Sequence, residues 1–327
     1  MASGNGQEGI AGEPLADPLV VKVTDTQGRP VSGIVVTFGV TGGGGSLFVE
    51  STQSNAEGLA QDLFTLGGPA GDVHRVEARA VDAANGGTVL TATFTAVARP
   101  GAPAGFRPPE SQERLFVPAG TLYPTRVAVL VVDRFDNPVP GAPIVFTPAD
   151  NGGSITGAEQ VTGPDGAAGP DTWIVGTVAG SGEAEGNLSF SLLTATIPGT
   201  SVEGPAISAA VVADHPVEIV TGPLPVTFPA GDQFDVPTRV VDQYANTVDQ
   251  VFNLHGIATE RLKLLWEVVD GGGCLIRAAP CTIAFDRYGN PVPIPWYLGS
   301  TPGTNHLRIS VEDHPEIPPL VVEVTGT

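Results

Sequence analysis

Cysteine is almost missing from this chain: 327 residues hold only Cys274 and Cys281. That excludes a disulfide-dense framework, and without an ordered histidine cluster it gives no zinc site. Lysine is equally scarce, with Lys22 and Lys263 alone, and 15 Lys plus Arg face 35 Asp plus Glu for a net charge of −20. A surface of that sign repels nucleic acid and anionic membranes, so neither is expected as a partner. Long hydrophobic runs are absent too, and no stretch reaches the roughly 18 apolar residues of a membrane-spanning helix. No signal peptide precedes the first folded segment, as expected of a mature region carrying a fresh initiator methionine. Catalytic signatures are also missing. No glycine run is followed by Gly-Lys-Ser/Thr, the histidines at 74, 215, 255, 306 and 314 form no His-Glu-x-x-His pattern, and there is no Gly-x-Ser-x-Gly elbow. The sequence therefore predicts no enzyme and no cofactor.

What the chain does contain is glycine and proline, 43 and 31 residues, beside 41 % hydrophobics. That apolar content is too high for a disordered linker, and many short apolar runs broken by turns are the pattern of a β-sandwich. The glycines recur in register. Gly42-Gly43-Gly44-Gly45-Ser46, Asn151-Gly152-Gly153-Ser154 and Gly271-Gly272-Gly273-Cys274 each end eight residues after an aromatic, namely Phe38, Phe146 and Trp266. Around them each unit repeats an apolar run ending in Asp (Asp25, Asp133, Asp242), a turn, and a later aromatic at Phe64, Trp173 or Trp296. The period is about 110 residues. It divides the chain into units at 1–99, 100–215 and 216–327, with Pro-rich joints between them and an insertion around 247–262 in the third. Proline stiffens such joints, which favours an elongated, semi-rigid array.

Strand patterning is legible in places. Ile34, Val36, Phe38 and Val40 share a core face and alternate with Val35, Thr37 and Gly39, while His74, Val76, Ala78 and Ala80 alternate with Arg75, Glu77 and Arg79, whose charges belong in water. His74 and His306, equally spaced from a Leu-Gly pair, are expected at one shared strand position. Residues 253–266, rich in helix formers, are expected as one short helix or an irregular loop.

This pattern resembles the bacterial group 1 Ig-like repeats of intimin and invasin. It lies in an apolar strand ending in Asp, a Gly-Asn-Pro-Val-Pro-Gly-like turn, a strand ending in Phe, a Gly-Gly-Gly-Ser-Leu run and a second Asn/Asp-Gly turn. The first unit carries it most completely, and the resemblance covers nearly the whole chain. It implies an all-β fold of three tandem Ig-like antiparallel β-sandwich domains, used mostly as stalks on a cell surface. Neither the terminal lectin-like module nor the outer-membrane barrel of that family is present.

Four groups of side chains are candidates for function. Asp133, Asp136 and Asn137 share a turn, and Asp286 and Asn290 another; such clusters either hold Ca²⁺ through oxygen ligands or serve as ordinary turn residues. Cys274 and Cys281 are close enough in sequence for a disulfide, with a loop-entropy contribution of about 2.5 kcal/mol. Tyr288, Trp296 and Tyr297 are a candidate ligand surface for sugars, unless Trp296 fills the core position of Phe64 and Trp173. Finally, residues 4–12 and exposed edge strands are candidates for pairing with a second copy. The expected role is structural or adhesive, extracellular or at the cell surface, with other proteins, surface glycans or copies of the same chain as partners. The alternatives are a self-assembling filament or sheath subunit and a carbohydrate-binding accessory region of a larger secreted protein.

Overall fold

The computed structural model describes residues 1–82, 86–107, 115–149, 151–180, 188–248, 250–252, 258–275, 284–285 and 294–327. The chain is an all-β array of Ig-like sandwiches. Three hydrophobic cores follow one another along it, centred on Phe38 and Phe64, on Phe146 and Trp173, and on Trp266 and Trp296. Burial alternates along the strands as a sandwich requires: in Val73–Asp82, His74, Val76 and Ala78 are buried while Arg75 and Arg79 face water.

Each core lies under a five-stranded sheet of the same order. In the first unit the order is Gln7–Ile10, Thr88–Arg99, Val73–Asp82, Val35–Gly42, Ser51–Gln53. The second unit repeats it as Phe116–Pro118, Ile207–Val212, Ser189–Thr196, Pro143–Ala149, Glu159–Val161, and the third as Thr227–Phe228, Leu320–Gly326, Gly303–Val311, Leu264–Asp270, Ala284–Phe285. One pairing in each sheet is parallel, between its first strand and its last. That pairing tucks the segment entering each unit against the strand leaving it, and so brings consecutive joints to a fixed edge.

The repeated glycines have a packing cause. Gly45, Gly153 and Gly273 lie where an added Cβ would run into the strand carrying the second aromatic: Thr65 and Phe64, Ile174, or Tyr297 and Trp296. A side chain there would hold the two strands apart. Trp173 uses the close approach, its indole N–H donating to the Gly152 carbonyl at 2.7 Å.

Two expectations need correcting. The helix-prone stretch 253–266 carries no helix in its described part: Ala258–Arg261 pairs with Gln250–Phe252 as an antiparallel ladder, and Leu264–Asp270 is a central strand. Tertiary pairing overrides local propensity there. His74 and His306 also differ in placement. His74 is fully buried beside Phe64, whereas His306 faces outward between Asp270 and Glu323. The third-unit counterpart of His74 is Asn305, also fully buried, whose Oδ1 accepts the Gly299 N–H at 3.0 Å. In the second unit Ser191 does the same for Gly176 at 3.1 Å. The register irregularity between Val268 and Asp270 has its equivalent between Val40 and Gly42 of the first unit, so the change comes from the loop before the strand, which is one residue shorter from Gly299 to Asn305 than from Gly67 to His74.

Candidate functional site

The turn that holds Asp133, Asp136 and Asn137 occurs three times with one backbone geometry. Asp25, Asp133 and Asp242 each take the N–H of the residue three positions on with their backbone C=O, and each bonds the residue four positions on through its own N–H. The residue at the third position has positive φ: 77° at Gly28, 67° at Asp136 and 64° at Ala245. Only the first is a glycine, so the other two turns hold strained residues.

In the second and third units this turn reaches into the preceding unit. Asn137 Nδ2 donates to the Gly68 carbonyl at 2.8 Å, and its Oδ1 accepts from the Ala70 N–H at 2.9 Å. Asn246 makes the same pair with the Thr177 carbonyl and the Ala179 N–H, at 2.8 and 2.9 Å. A primary amide presents its donor and its acceptor on separate atoms, and so meets a backbone carbonyl and a backbone N–H two residues apart at once. The aspartate then ties this asparagine to the linker: Asp133 accepts from Asn137 Nδ2 and from the Gly101 N–H, and Asp242 from Asn246 Nδ2 and the Asp214 N–H.

An aromatic two residues after each aspartate completes the contact. Phe135 lies on Gly12 and Gly68, and Tyr244 on Gly120, so closely that a Cβ on any of those glycines would meet the ring. Gly12 and Gly120 are equivalent, donating to the carbonyls of Gly67 and Gly176. Each joint is therefore an Asp-x-Phe/Tyr-x-Asn turn docked onto a glycine and a Gly/Thr-x-Ala backbone. We call it the clasp.

The first unit carries the turn without the clasp. Gln27 and Arg29 stand where the others have the aromatic and the asparagine, and Arg29 Nε bonds its own Asp25 at 2.7 Å. The third unit carries the receiving loop in altered form. Gly231 matches Gly12 and Gly120, but Pro302 replaces Ala70 and Ala179 and has no N–H to give.

The remaining predicted residues are distributed as follows. Burial pushes the Asp133 carboxyl up, but hydrogen bonds from the Asn137 side chain and from the N–H groups of Gly101, Asn137 and Phe135 outweigh it and hold it below the usual carboxylate range. Its oxygens are thus occupied by N–H donors. Asp136 pairs with Arg107. Among the described residues no group of three His, Cys, Asp or Glu is arranged to hold a metal ion; Asp286 and Asn290 lie outside them. Trp296 does not belong to a ligand surface, because it is fully buried with its ring 5.6 Å from that of Phe234. Tyr297 is half-buried on the same strand, and Tyr288 lies outside the described residues. Cys274 bridges to Tyr297 through backbone bonds of 2.8 Å in both directions; its expected disulfide partner Cys281 is outside the described residues. No helix among the described residues is long and apolar enough to cross a membrane.

Comparison with known proteins adds a likeness in fold. No family model and no curated protein matches the sequence. Among solved structures, the chain is similar to the Escherichia coli adhesin FdeC, with 17 % identity, 98 % of this chain and 95 % of that one covered, and a TM-score of 0.45. It is similar to the D0-D1 domain of intimin at 18 % identity, covering 63 % of this chain and 95 % of that one, with a TM-score of 0.24. Protocadherin gamma B2 extracellular domains 1–5 are similar at 13 % identity, over 98 % of this chain and 56 % of that one, with a TM-score of 0.42. Likeness at this level carries no argument about what the chain binds.

Proposed function

We propose that the chain is a non-catalytic extracellular or cell-surface spacer, a short rod of Ig-like units whose role is structural or adhesive. The observation that carries the reading is the clasp, present at both joints with the same atoms. A string of units joined only by flexible linker needs no such device, whereas a spacer that must hold a reach and an orientation does. Glycine and proline at the joints, an acidic surface that resists nonspecific association, and the absence of catalytic motifs fit the same role.

The filament alternative is weakened at one point. The segment 4–12, offered above as a donor strand, already pairs through Gln7–Ile10 with Thr88–Arg99 of its own sheet. Negative-stain microscopy of the purified chain over a concentration series tests the reading. Separate rods at every concentration agree with it, and regular fibres replace it with self-assembly.

A further inference from the structure

The second unit differs from its neighbours at one surface position. Tyr123 donates its backbone N–H to the Trp173 carbonyl, as Leu15 does to Phe64, and Phe234 pairs with Trp296 in the same place. Three residues further on the first and third units have Pro18 and Pro237, and the second has Arg126. In the first unit the intervening backbone is covered, since the Gln7 amide bonds both the C=O and the N–H of Asp17 at 2.9 Å. Thr125, the second unit's counterpart of Asp17, is exposed.

A cleft of about 470 Å³ opens there. Its floor is Tyr123, half-buried and stacked on Trp173 with ring centroids 4.8 Å apart. Arg126 stands on one wall, exposed and with no hydrogen bond or ion pair among the described residues. Asp171 and Gln160 stand opposite; Gln160 Nε2 donates to the Gly157 carbonyl at 3.1 Å and touches Asp171 at only 3.5 Å, so the carboxylate keeps most of its acceptor capacity. Burial raises the Tyr123 hydroxyl above its ordinary pKa, so it stays a neutral hydrogen-bonding group, and Thr125 bonds it.

On a chain of net charge −20, Arg126 is one of only 15 Lys and Arg side chains, and it stands beside an aromatic floor with no carboxylate paired to it among the described residues. We propose that this cleft binds an acidic saccharide unit. The sugar carboxylate pairs with Arg126, its hydroxyls donate to Asp171 and Gln160, and its ring lies on the Tyr123 face. Arginine offers two parallel N–H donors to a carboxylate, and the acceptors opposite suit hydroxyls rather than a second anion. The site is separate from the tyrosine and tryptophan surface considered for the third unit and does not depend on the spacer role.

The test is a titration of the whole chain with D-glucuronic acid, D-glucose and an acetylated glutamate peptide, followed by amide and indole N–H resonances. Glucuronate is expected to shift the Trp173 indole and the Arg126 and Asp171 amides with an affinity in the range of about 1–10 mM. Glucose should bind about tenfold more weakly, as should glucuronate to Arg126→Ala, the loss of one charge-assisted contact. Tyr123→Leu, the residue of the first unit, keeps the core filled and should lose binding as well. An unperturbed cleft at the highest concentration, equal binding to Arg126→Ala, or a peptide that binds as tightly as glucuronate would each overturn the proposal.

Discussion

Asn246 repeats, one unit further along, the two interdomain bonds that Asn137 makes: each amide gives its N–H to one backbone carbonyl of the preceding unit and takes an N–H two residues beyond it. Two joints with different linker sequences have thus kept the same lock. Asn137→Ala leaves a part-buried carbonyl and a part-buried N–H of the first unit without their protein partner, together with part of Asp133. That should cost about 1–3 kcal/mol of coupling between the first two units. Differential scanning calorimetry is expected to show the first unit melting earlier, and an unchanged melt would remove the clasp from the account.

Ala245 is the strained member of the third turn, with φ of 64° where the first unit has Gly28. Ala245→Gly should stabilise by a few tenths to about 1 kcal/mol, because the glycine adopts this conformation without a Cβ clash. The reverse change on the receiving side, Gly120→Ala, drives a methyl into the Tyr244 ring and should loosen the second joint. Thermal melts of the two variants should move in opposite directions.

Acid should open the first joint through Asp133. Its folded carboxyl is held below the unfolded value, so the unfolded chain takes up the proton more readily. The stabilising contribution is present above the unfolded carboxylate pKa near 3.8 and is lost as pH falls through the lower folded value. Asp133→Asn should flatten this acid limb in a pH series of melts without changing the limb contributed by other carboxylates.

His306 titrates in the opposite sense. The hydrogen bond with Asp270 raises its pKa against some desolvation, with help from Glu323. Its contribution is therefore present below the unfolded histidine pKa near 6.5 and fades as pH rises through the raised folded value. NMR titration of the His306 ring in the intact chain and in Asp270→Asn should show the midpoint fall in the variant.

Calcium should leave both joints unchanged. With both Asp133 oxygens taken by N–H donors, a cation would have to displace the Asn137 and Gly101 bonds that fix the joint. Melting temperatures in millimolar calcium and in excess chelator are expected to agree; a rise with calcium would restore the cation reading of Asp133, Asp136 and Asn137.

Much of the fold is legible in the sequence because sandwich packing is periodic. The aromatics at Phe38, Phe146 and Trp266 and at Phe64, Trp173 and Trp296 mark two facing layers, and all six are buried. The clasp is harder to read, since Asp and Asn in a turn serve their own backbone in most proteins. One signal was available: an Asp-x-aromatic-x-Asn turn follows each joint and is missing from the first unit, where Gln27 and Arg29 stand instead. Spacing alone misleads where a loop changes length: the segment from Gly299 to Asn305 is one residue shorter than that from Gly67 to His74, so His306 lines up with His74 in sequence while Asn305 takes its place in the core. The propensity of residues 258–266 for helix is overridden because Leu264 and Trp266 are needed in the third core.

The central claim is that the clasps fix the joints. Spin labels on exposed strand positions of the first and third units, measured by pulsed electron resonance, address it directly. One narrow distance distribution in the wild-type chain, broadening in the Asn137→Ala, Asn246→Ala double variant, is the predicted result. A broad distribution in the wild type, or a narrow one that survives the double substitution, would contradict it.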